Sequence, residues 1–203
     1  MKDSTLVSSQ DSHPASLEQA PGSGDVAAQL KLGLQYYHGS EVRQDYVFAA
    51  HWFQMAATHG SAAAQFNLGL MCYHGLGLAV DHVQAAFWYQ LAAQQGHTDA
   101  QVNLACMYSH GEGVLQYDAE AARLCMQAAE KGNAKAQFNL GLMYANGKGV
   151  VKDEIAAHMW MSIAVSSGVN DAIGERDRIA LDMTVDEIDE ARRLALVWRA
   201  QSL

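Results

Sequence analysis

The sequence predicts an all-α protein, a right-handed α-solenoid of four 36-residue helix-turn-helix repeats with a C-terminal capping helical segment. Two observations predict this fold. The heptapeptide AQFNLGL begins at Ala64 and begins again at Ala136, two periods of 36 residues later. Alanine is abundant and only 2 of the 203 residues are proline, so we expect the 17 glycines to end helices rather than to build long loops.

The repeat covers residues 25–168, which divide without a gap into copies at 25–60, 61–96, 97–132 and 133–168. Several columns hold one residue type in all four copies. Among them are the glutamines Gln29, Gln65, Gln101 and Gln137 and the closing glycines Gly60, Gly96, Gly132 and Gly168. Because a single helical pair cannot bury its apolar face alone, we expect the copies to stack on one another.

The first helix of each copy is predicted from an apolar stripe that a glycine ends. In the second copy, Ala64, Leu68 and Met71 share one face of a helix over 62–73. The terminating glycines suit a left-handed helix end and stand at Gly39, Gly75, Gly111 and Gly147. Small residues inside these helices predict close approach of another helix, and they are Gly33, Gly69, Ala105 and Gly141. We expect tryptophans to orient that neighbouring helix, at Trp52, Trp88 or Trp160.

The second helix of each copy follows a short loop and begins after an aspartate in three copies. Asp45, Asp81 and Asp153 occupy one column, and their carboxylates are expected to cap the helix N-terminus rather than to act as acid or base groups.

Residues 169–203 leave the repeat pattern and predict the capping segment. Thr184 and Glu187 have the spacing of a capping box, and the helix that follows carries an apolar face. That face consists of Ile188, Ala191, Leu194, Ala195 and Trp198. We expect it to cover the end of the stack, and a partner-binding helix is the alternative. Residues 1–24 are expected to be a disordered N-terminal tail.

Composition excludes several classes of partner. The net charge of −9 makes nucleic acid an unsuitable partner, because phosphate binding needs clustered Lys and Arg. The sequence contains no run of 18 apolar residues, so membrane insertion is not predicted. It also contains no recognisable signal peptide, so we expect a cytoplasmic protein. A mature periplasmic or secreted form would have the same appearance. The oligomeric state is left open.

The sequence lacks the motifs that would indicate catalysis. Neither G-x-S-x-G nor H-E-x-x-H occurs, so we expect no enzyme activity and no cofactor. His38, His74 and His110 recur with the period, but packed helices ~8–10 Å apart would keep these residues from sharing one metal ion. They are interpreted as helix-terminating residues. The three cysteines, Cys72, Cys106 and Cys125, do not recur with the period and are expected to be buried thiols.

The recurring frame A-x-x-x-L-G-x-M-Y-x-x-G-x-G-V, followed by A-x-x-W-Y-x-x-A-A-x-x-G, resembles the Sel-one-like repeat (SLR) family. The fourth copy carries it most fully, at Leu140, Gly141, Met143, Tyr144, Gly147, Gly149, Val150, Ala157, Trp160 and Gly168. The first copy departs from the frame at Ser40 and Glu41, and the third departs at Ala105 and Leu124.

The resemblance implies a tetratricopeptide-like solenoid that acts as a protein–protein interaction scaffold or adaptor. A dedicated immunity or chaperone-like protein with one cognate partner is the alternative. Some secreted members carry one disulfide per repeat and are linked to β-lactam binding. This hydrolase or small-molecule-binding function is less favoured here, because the cysteines are not periodic.

The resemblance also places the first helix of each pair on a concave, partner-binding face. The residues predicted there are Tyr37, His38, Phe66, Tyr73, His74, His110, Phe138 and Asn146. Four of them, Tyr37, Phe66, Tyr73 and His74, are expected to form its centre. The column of Leu34, Leu70, Cys106 and Leu142 is expected to pack between repeats. Between Arg43 and Arg123 no Lys or Arg occurs, and such depletion of charge is typical of an interface.

Overall fold

The structure, a computed structural model, describes residues 25–201, and the predicted N-terminal tail lies outside this range. Within it, ten helices and no strand occur. The helices are α1 (Val26–His38), α2 (Tyr46–Thr58), α3 (Ala62–His74), α4 (His82–Gln94), α5 (Thr98–His110), α6 (Asp118–Glu130), α7 (Ala134–Asn146), α8 (Glu154–Ser166), α9 (Asp171–Ala180) and α10 (Val185–Gln201). The first eight form four pairs that stack in order, since each second helix also packs against the first helix of the next pair. The predicted all-helical solenoid of four repeats is confirmed.

Each first helix ends at the predicted glycine. Gly39 and Gly75 both have φ of 71°, in the left-handed region where a side chain is strained. The N–H of Gly75 donates to the carbonyl of Met71, which satisfies one of the free carbonyls at the helix end. The chain can therefore leave each first helix sharply and start the loop to the second.

The small residues inside the first helices lie against the second helix of the same repeat, but the contact is not with tryptophan. A Cβ atom at Gly33 would lie 2.5 Å from the ring of Phe53, and one at Gly69 would lie 2.7 Å from the ring of Tyr89. Phe53 directly follows Trp52 in the chain. Successive residues of a helix point about 100° apart, so only one of the two can face the glycine. The expectation that named the tryptophans is wrong by one position.

The second helices begin as predicted in three of four repeats. The Asp45 carboxylate accepts hydrogen bonds from the backbone N–H groups of Val47 and Phe48, at 2.9 and 3.1 Å. Asp81 and Asp153 cap α4 and α8 in the same way. In the third repeat Tyr117 stands at this position and makes no side-chain cap.

The C-terminal segment contains two helices, of which α9 was not foreseen as a separate helix. The capping box is present: the N–H of Thr184 donates to the Glu187 carboxylate at 2.7 Å, and the N–H of Glu187 donates back to the Thr184 hydroxyl at 3.3 Å. Helix α10 packs against α8, where the rings of Trp160 and Trp198 meet edge to face, 5.5 Å between centroids. Ala191 is fully buried.

None of the helices within residues 25–201 combines the length and the apolar character needed to cross a lipid bilayer.

Candidate functional site

The eight residues predicted for the binding face all lie on the first helices of the repeats. Four are the last residues of α1, α3, α5 and α7 and are exposed, namely His38, His74, His110 and Asn146. The other four are aromatic and half-buried, namely Tyr37, Phe66, Tyr73 and Phe138. The structure therefore leaves all eight in part accessible and gives them different surroundings.

Two cavities of about 260 Å³ each lie along this face. The first, the Tyr73 cavity, is lined by Leu70, Tyr73, His74, Tyr89, Asn103, Cys106 and Met107. The second, the His110 cavity, is lined by Ala105, Cys106, Ser109, His110, Cys125, Asn139, Leu142, Met143, Asn146 and Lys148. Every residue of the first cavity has its counterpart 36 positions later in the second. The cavities are thus one feature of the repeat, present between repeats two and three and again between repeats three and four.

The two cavities bring together four of the predicted residues, because Tyr73 and His74 line one and His110 and Asn146 line the other. Cys106 lines both cavities and is exposed, so the prediction that it is a buried thiol is wrong. It lies on the face predicted to bind a partner, between the two cavities, whereas its column was expected to pack between repeats. Cys72 and Cys125 are buried as predicted, and burial raises the pKa of the Cys125 thiol to about 12.

Tyr73 is held in place by contacts to two other segments. Its hydroxyl donates to the Glu112 carboxylate at 2.6 Å across the repeat boundary, and its ring stacks on His82 at 4.8 Å. The hydrogen bond to Glu112, followed by burial and the charge of that carboxylate, raises the pKa of Tyr73 above its ordinary value. The ring therefore forms a fixed wall of its cavity with a neutral hydroxyl.

His110 and Asn146 behave as the helix-termination interpretation predicts. Nδ1 of His110 lies 2.8 Å from the carbonyl oxygen of Cys106, and a carbonyl accepts, so this nitrogen carries the proton. Nδ2 of Asn146 donates to the carbonyl of Leu142, also at 2.8 Å. Both side chains satisfy a carbonyl one turn earlier, and both remain on the rim of the His110 cavity.

The remaining predicted aromatic residues line neither of these cavities and pack against other helices. The Phe66 ring stacks on His97 with 4.5 Å between centroids. The Tyr37 ring meets the rings of Tyr46 and Phe53 at 5.5 and 6.2 Å. Phe138 packs against the apolar cluster between α8 and α9. These contacts assign the three residues to packing between elements as well as to the surface.

A third and larger cavity, of about 480 Å³, lies between α4, α5 and α6 and contains none of the predicted residues. Four charged side chains line it, and two of them, Arg123 and Glu120, form a two-point ion pair at 2.5 and 2.7 Å. This pair lowers the pKa of Glu120. The face with two repeat-equivalent cavities brings together four of the predicted residues, so it is the stronger candidate for a binding site.

No candidate metal centre emerges from residues 25–201. No cluster of three or more His, Cys, Asp or Glu side chains in that range could hold a metal ion. The exposed thiol of Cys106 has His110 nearby in sequence, and desolvation followed by the charge of Glu112 raises the pKa of this thiol. A raised pKa disfavours the reactive thiolate.

The sequence model of the Sel1 repeat matches this chain four times, at residues 26–61, 62–97, 98–133 and 134–169. The chain belongs to the Sel1 repeat family. Repeats of this family generally act as protein–protein interaction scaffolds. The matched spans start one residue later than the copies read from the sequence, a shift that leaves the period and the columns unchanged.

Solved structures of two Sel1-type proteins are similar to this chain. One is a protective antigen of uropathogenic Escherichia coli strains that displays an SLR fold, with a TM-score of 0.77 and 32% identity over 88% of this chain. The chain spans only 38% of that antigen's length. The other is a Sel1 repeat protein from Oxalobacter formigenes, with a TM-score of 0.74 and 32% identity over 87% of this chain and 70% of its own. No curated protein matches the chain.

One further periodic column, which the sequence prediction did not include, lies on the face with the two cavities. Asn67, Asn103 and Asn139 recur with the period, and the last two line the Tyr73 and His110 cavities. Their spacing was the signal that could have revealed them. Leu70, Cys106 and Leu142 also line these cavities, although their column was expected to pack between repeats.

Proposed function

We propose that this Sel1 repeat protein is a non-enzymatic scaffold or adaptor that binds a segment of a partner protein along the first helices of its repeats. The observation that carries the proposal is the pair of repeat-equivalent cavities, which places the same recess twice in succession on one face. A surface that repeats with the solenoid suits a ligand that is itself a chain and runs along it.

The chemistry of the face supports a protein ligand. The Tyr73 cavity combines apolar walls from Leu70 and Met107 with the polar edges of Tyr73 and His74. Rings with a polar tip are enriched in protein interfaces, because they can be both solvated when free and buried when bound. Helix α3, which contributes three of these residues, carries no Lys, Arg, Asp or Glu.

The test uses Tyr73→Ala and Leu142→Ala, one in each cavity, against a partner identified by affinity capture and then purified. Truncation of a central interface residue typically costs ≥2 kcal/mol, or about 30-fold in Kd. We expect a loss of this size for at least Tyr73→Ala by isothermal titration calorimetry, with circular dichroism confirming the fold.

The matched control is Tyr117→Ala, because Tyr117 is 58% exposed in a loop and lines neither cavity. It should bind with the affinity of the wild type. If the two cavity variants bind as tightly as the control while remaining folded, the partner binds elsewhere. Phe66→Ala is a weaker choice, since its ring also stacks on His97.

A further inference from the structure

The larger cavity between α4, α5 and α6 has no part in the proposed scaffold function. It shares no lining residue with the Tyr73 and His110 cavities, and it contacts a different face of α5, through Gln101, Leu104 and Tyr108. Its volume of about 480 Å³ lies within the range of ~300–1,000 Å³ that is usual for small-molecule sites. We call it the Leu124 cavity, after a residue of its floor.

The Leu124 cavity lies where the third repeat lacks a tryptophan. Trp52, Trp88 and Trp160 occupy one position of the second helix in the other repeats, and all three are buried. Leu124 takes this position in repeat three, is buried itself and lines the cavity. Because leucine is smaller than tryptophan, the exchange leaves room at a position that the other three repeats fill with a bicyclic ring.

A buried acceptor shows which group a ligand should bring. Gln101 lines the cavity and is 3% exposed, and its Oε1 has no hydrogen-bond donor among residues 25–201. One repeat earlier, Gln95 donates to the equivalent oxygen of Gln65 at 2.7 Å. An unpaired buried acceptor costs free energy, so a ligand with an N–H group for this oxygen should bind more tightly than one without it.

The walls of the cavity suit the flat face of an aromatic ring. Ala93, Leu104 and Leu124 are buried and form an apolar floor, and Tyr108 adds a half-buried ring. The rim is polar and includes three exposed carboxamides, those of Gln90, Gln94 and Gln127. An apolar floor with a few polar groups around it is the usual composition of a small-molecule site.

The charges around the cavity favour a neutral ligand. Two basic and two acidic side chains line it, so they balance. Arg123 and Glu120 pair with each other, and Nζ of Lys131 lies 3.4 Å from the carbonyl oxygen of Gly96. A charged ligand would find no excess of the opposite charge and would have to compete with these contacts.

We propose that the Leu124 cavity binds a neutral bicyclic aromatic ring that carries an N–H donor on its edge, a ring of the indole class. The ring lies on the floor formed by Leu104 and Leu124, and its N–H donates to Oε1 of Gln101. This site is separate from the face proposed to bind a partner protein and does not depend on it.

The experiment titrates the isotope-labelled full-length protein with indole and with benzofuran and follows the backbone amide signals by NMR. Benzofuran has the shape of indole but an oxygen in place of the N–H. We expect indole to shift amide signals of α4, α5 and α6 with a Kd below about 1 mM, and benzofuran to bind about 10-fold more weakly, because it leaves Gln101 without a donor.

Leu124→Trp tests the location of the site. It restores the residue of the other repeats, whose indole would occupy the cavity, so we expect the Kd of indole to rise at least about 10-fold. Leu196→Trp is the matched control, because it adds the same ring at a position that is 65% exposed on α10. The control should bind indole with the Kd of the wild type, and thermal unfolding checks the fold of both variants.

Lys131→Gln tests the hydrogen bond to Gln101 and does not depend on whether Leu124→Trp folds. A carboxamide at this position can donate to Gln101 as Gln95 does to Gln65. Since the acceptor then has a partner, indole should lose its advantage, and indole and benzofuran should bind this variant with equal Kd.

The same ring occurs in free indole compounds and in tryptophan side chains, and N-acetyl-tryptophanamide separates the two sources. Tighter binding of indole would support a free ligand, and tighter binding of the amide would support the side chain of a polypeptide. Binding of neither would overturn the proposal. It would also be overturned by equal affinity of the wild type for indole and benzofuran, or by unchanged indole binding in folded Leu124→Trp. None of these results bears on the Tyr73 cavity, so the scaffold proposal is tested separately.

Discussion

At the scale of single residues, the buried glutamines act as bridges between successive helices. Nε2 of Gln65 donates to the carbonyl of Ala57, eight residues earlier, at 3.1 Å, and the same bond recurs from Gln101 and Gln137. Each of these donors ties the start of a first helix to the end of the preceding second helix. The polar residue is thus placed where a backbone carbonyl would otherwise lack a partner.

The oxygen of the same amide group is satisfied in repeats two and four but not in repeat three. Gln95 donates to the oxygen of Gln65 at 2.7 Å, and Ser167 donates to that of Gln137 at 2.9 Å. The equivalent residue in repeat three is Lys131, whose ammonium group lies 3.4 Å from the carbonyl of Gly96. The buried oxygen of Gln101 has no hydrogen-bond partner within residues 25–201.

We therefore predict that Lys131→Gln stabilises the protein, because it supplies the donor that Gln95 supplies one repeat earlier. Satisfying a buried acceptor is worth about 1 kcal/mol, and the free energy of unfolding from urea titration should rise by that amount. Lys135→Gln on the exposed surface of α7 removes the same charge without approaching Gln101 and serves as the control. An equal gain in both variants would attribute the effect to net charge alone.

At the scale of helices, the distance between the two helices of a repeat depends on the sizes of two facing residues, one on each helix. Gly69 lies against Tyr89, and Gly33 lies against Phe53, so a glycine faces a large ring in both repeats. In repeat three, Ala105 takes the position of the glycine and Cys125, with its small side chain, takes the position of the ring. The larger residue in the first helix accompanies the smaller residue in the second, as close packing at constant spacing requires.

This relation predicts that Gly69→Ala destabilises the protein by roughly 1–3 kcal/mol, because the new Cβ atom would lie 2.7 Å from ring carbons of Tyr89. Tyr89→Cys alone should cost more, since it leaves a cavity. The double variant recreates the pair of repeat three and should be more stable than the sum of the single changes. Chemical denaturation of the four proteins measures this coupling. Strict additivity would show that the two positions do not share a contact.

The sequence predicted the helices because their signals recur and are local. Gly75 ends α3 and Asp81 begins α4 through bonds within a few residues, and the period repeats both signals in other copies. The rotation of one helix against another is not a local property. Consequently Trp88 was expected where the next residue, Tyr89, lies against the glycine.

The surroundings of the residues proposed for the binding face were predicted only in part, for a related reason. The period showed which residues share a column, and it placed Tyr73 and His74 on the first helix. The exposure of Cys106 depends on how three helices leave a recess between repeats, which a single sequence does not state. The spacing of Asn67, Asn103 and Asn139 predicts a row along the same face, because equivalent positions of successive repeats line up.

At the scale of the whole molecule, a stack of repeats has two ends, and each exposes an apolar face unless something covers it. At the C-terminal end α10 lies on α8, with Trp198 against Trp160 and with Ala191 and Ala195 buried. Its other side carries the exposed ion pairs Arg192–Asp189 and Arg193–Glu190, alongside the exposed Leu196. The helix thus has the two faces that a cap needs.

The last prediction tests that role. Deleting the chain after Gly168 removes α9 and α10 and exposes Trp160 and the neighbouring apolar surface of α8, so we expect a lower Tm and lower solubility than in the full-length protein.

Within the full chain, Trp198→Ala should cost about 2 kcal/mol, since it removes a half-buried ring and its edge-to-face contact. Leu196→Ala, at a position 65% exposed on the same helix, should cost little. Because each repeat in a solenoid contacts only its neighbours, the loss should begin at α8, and amide hydrogen exchange should rise there before it rises in α3. If amide hydrogen exchange rose equally in all helices, or if the truncated protein kept its Tm and solubility, α10 would not act as the cap of the stack.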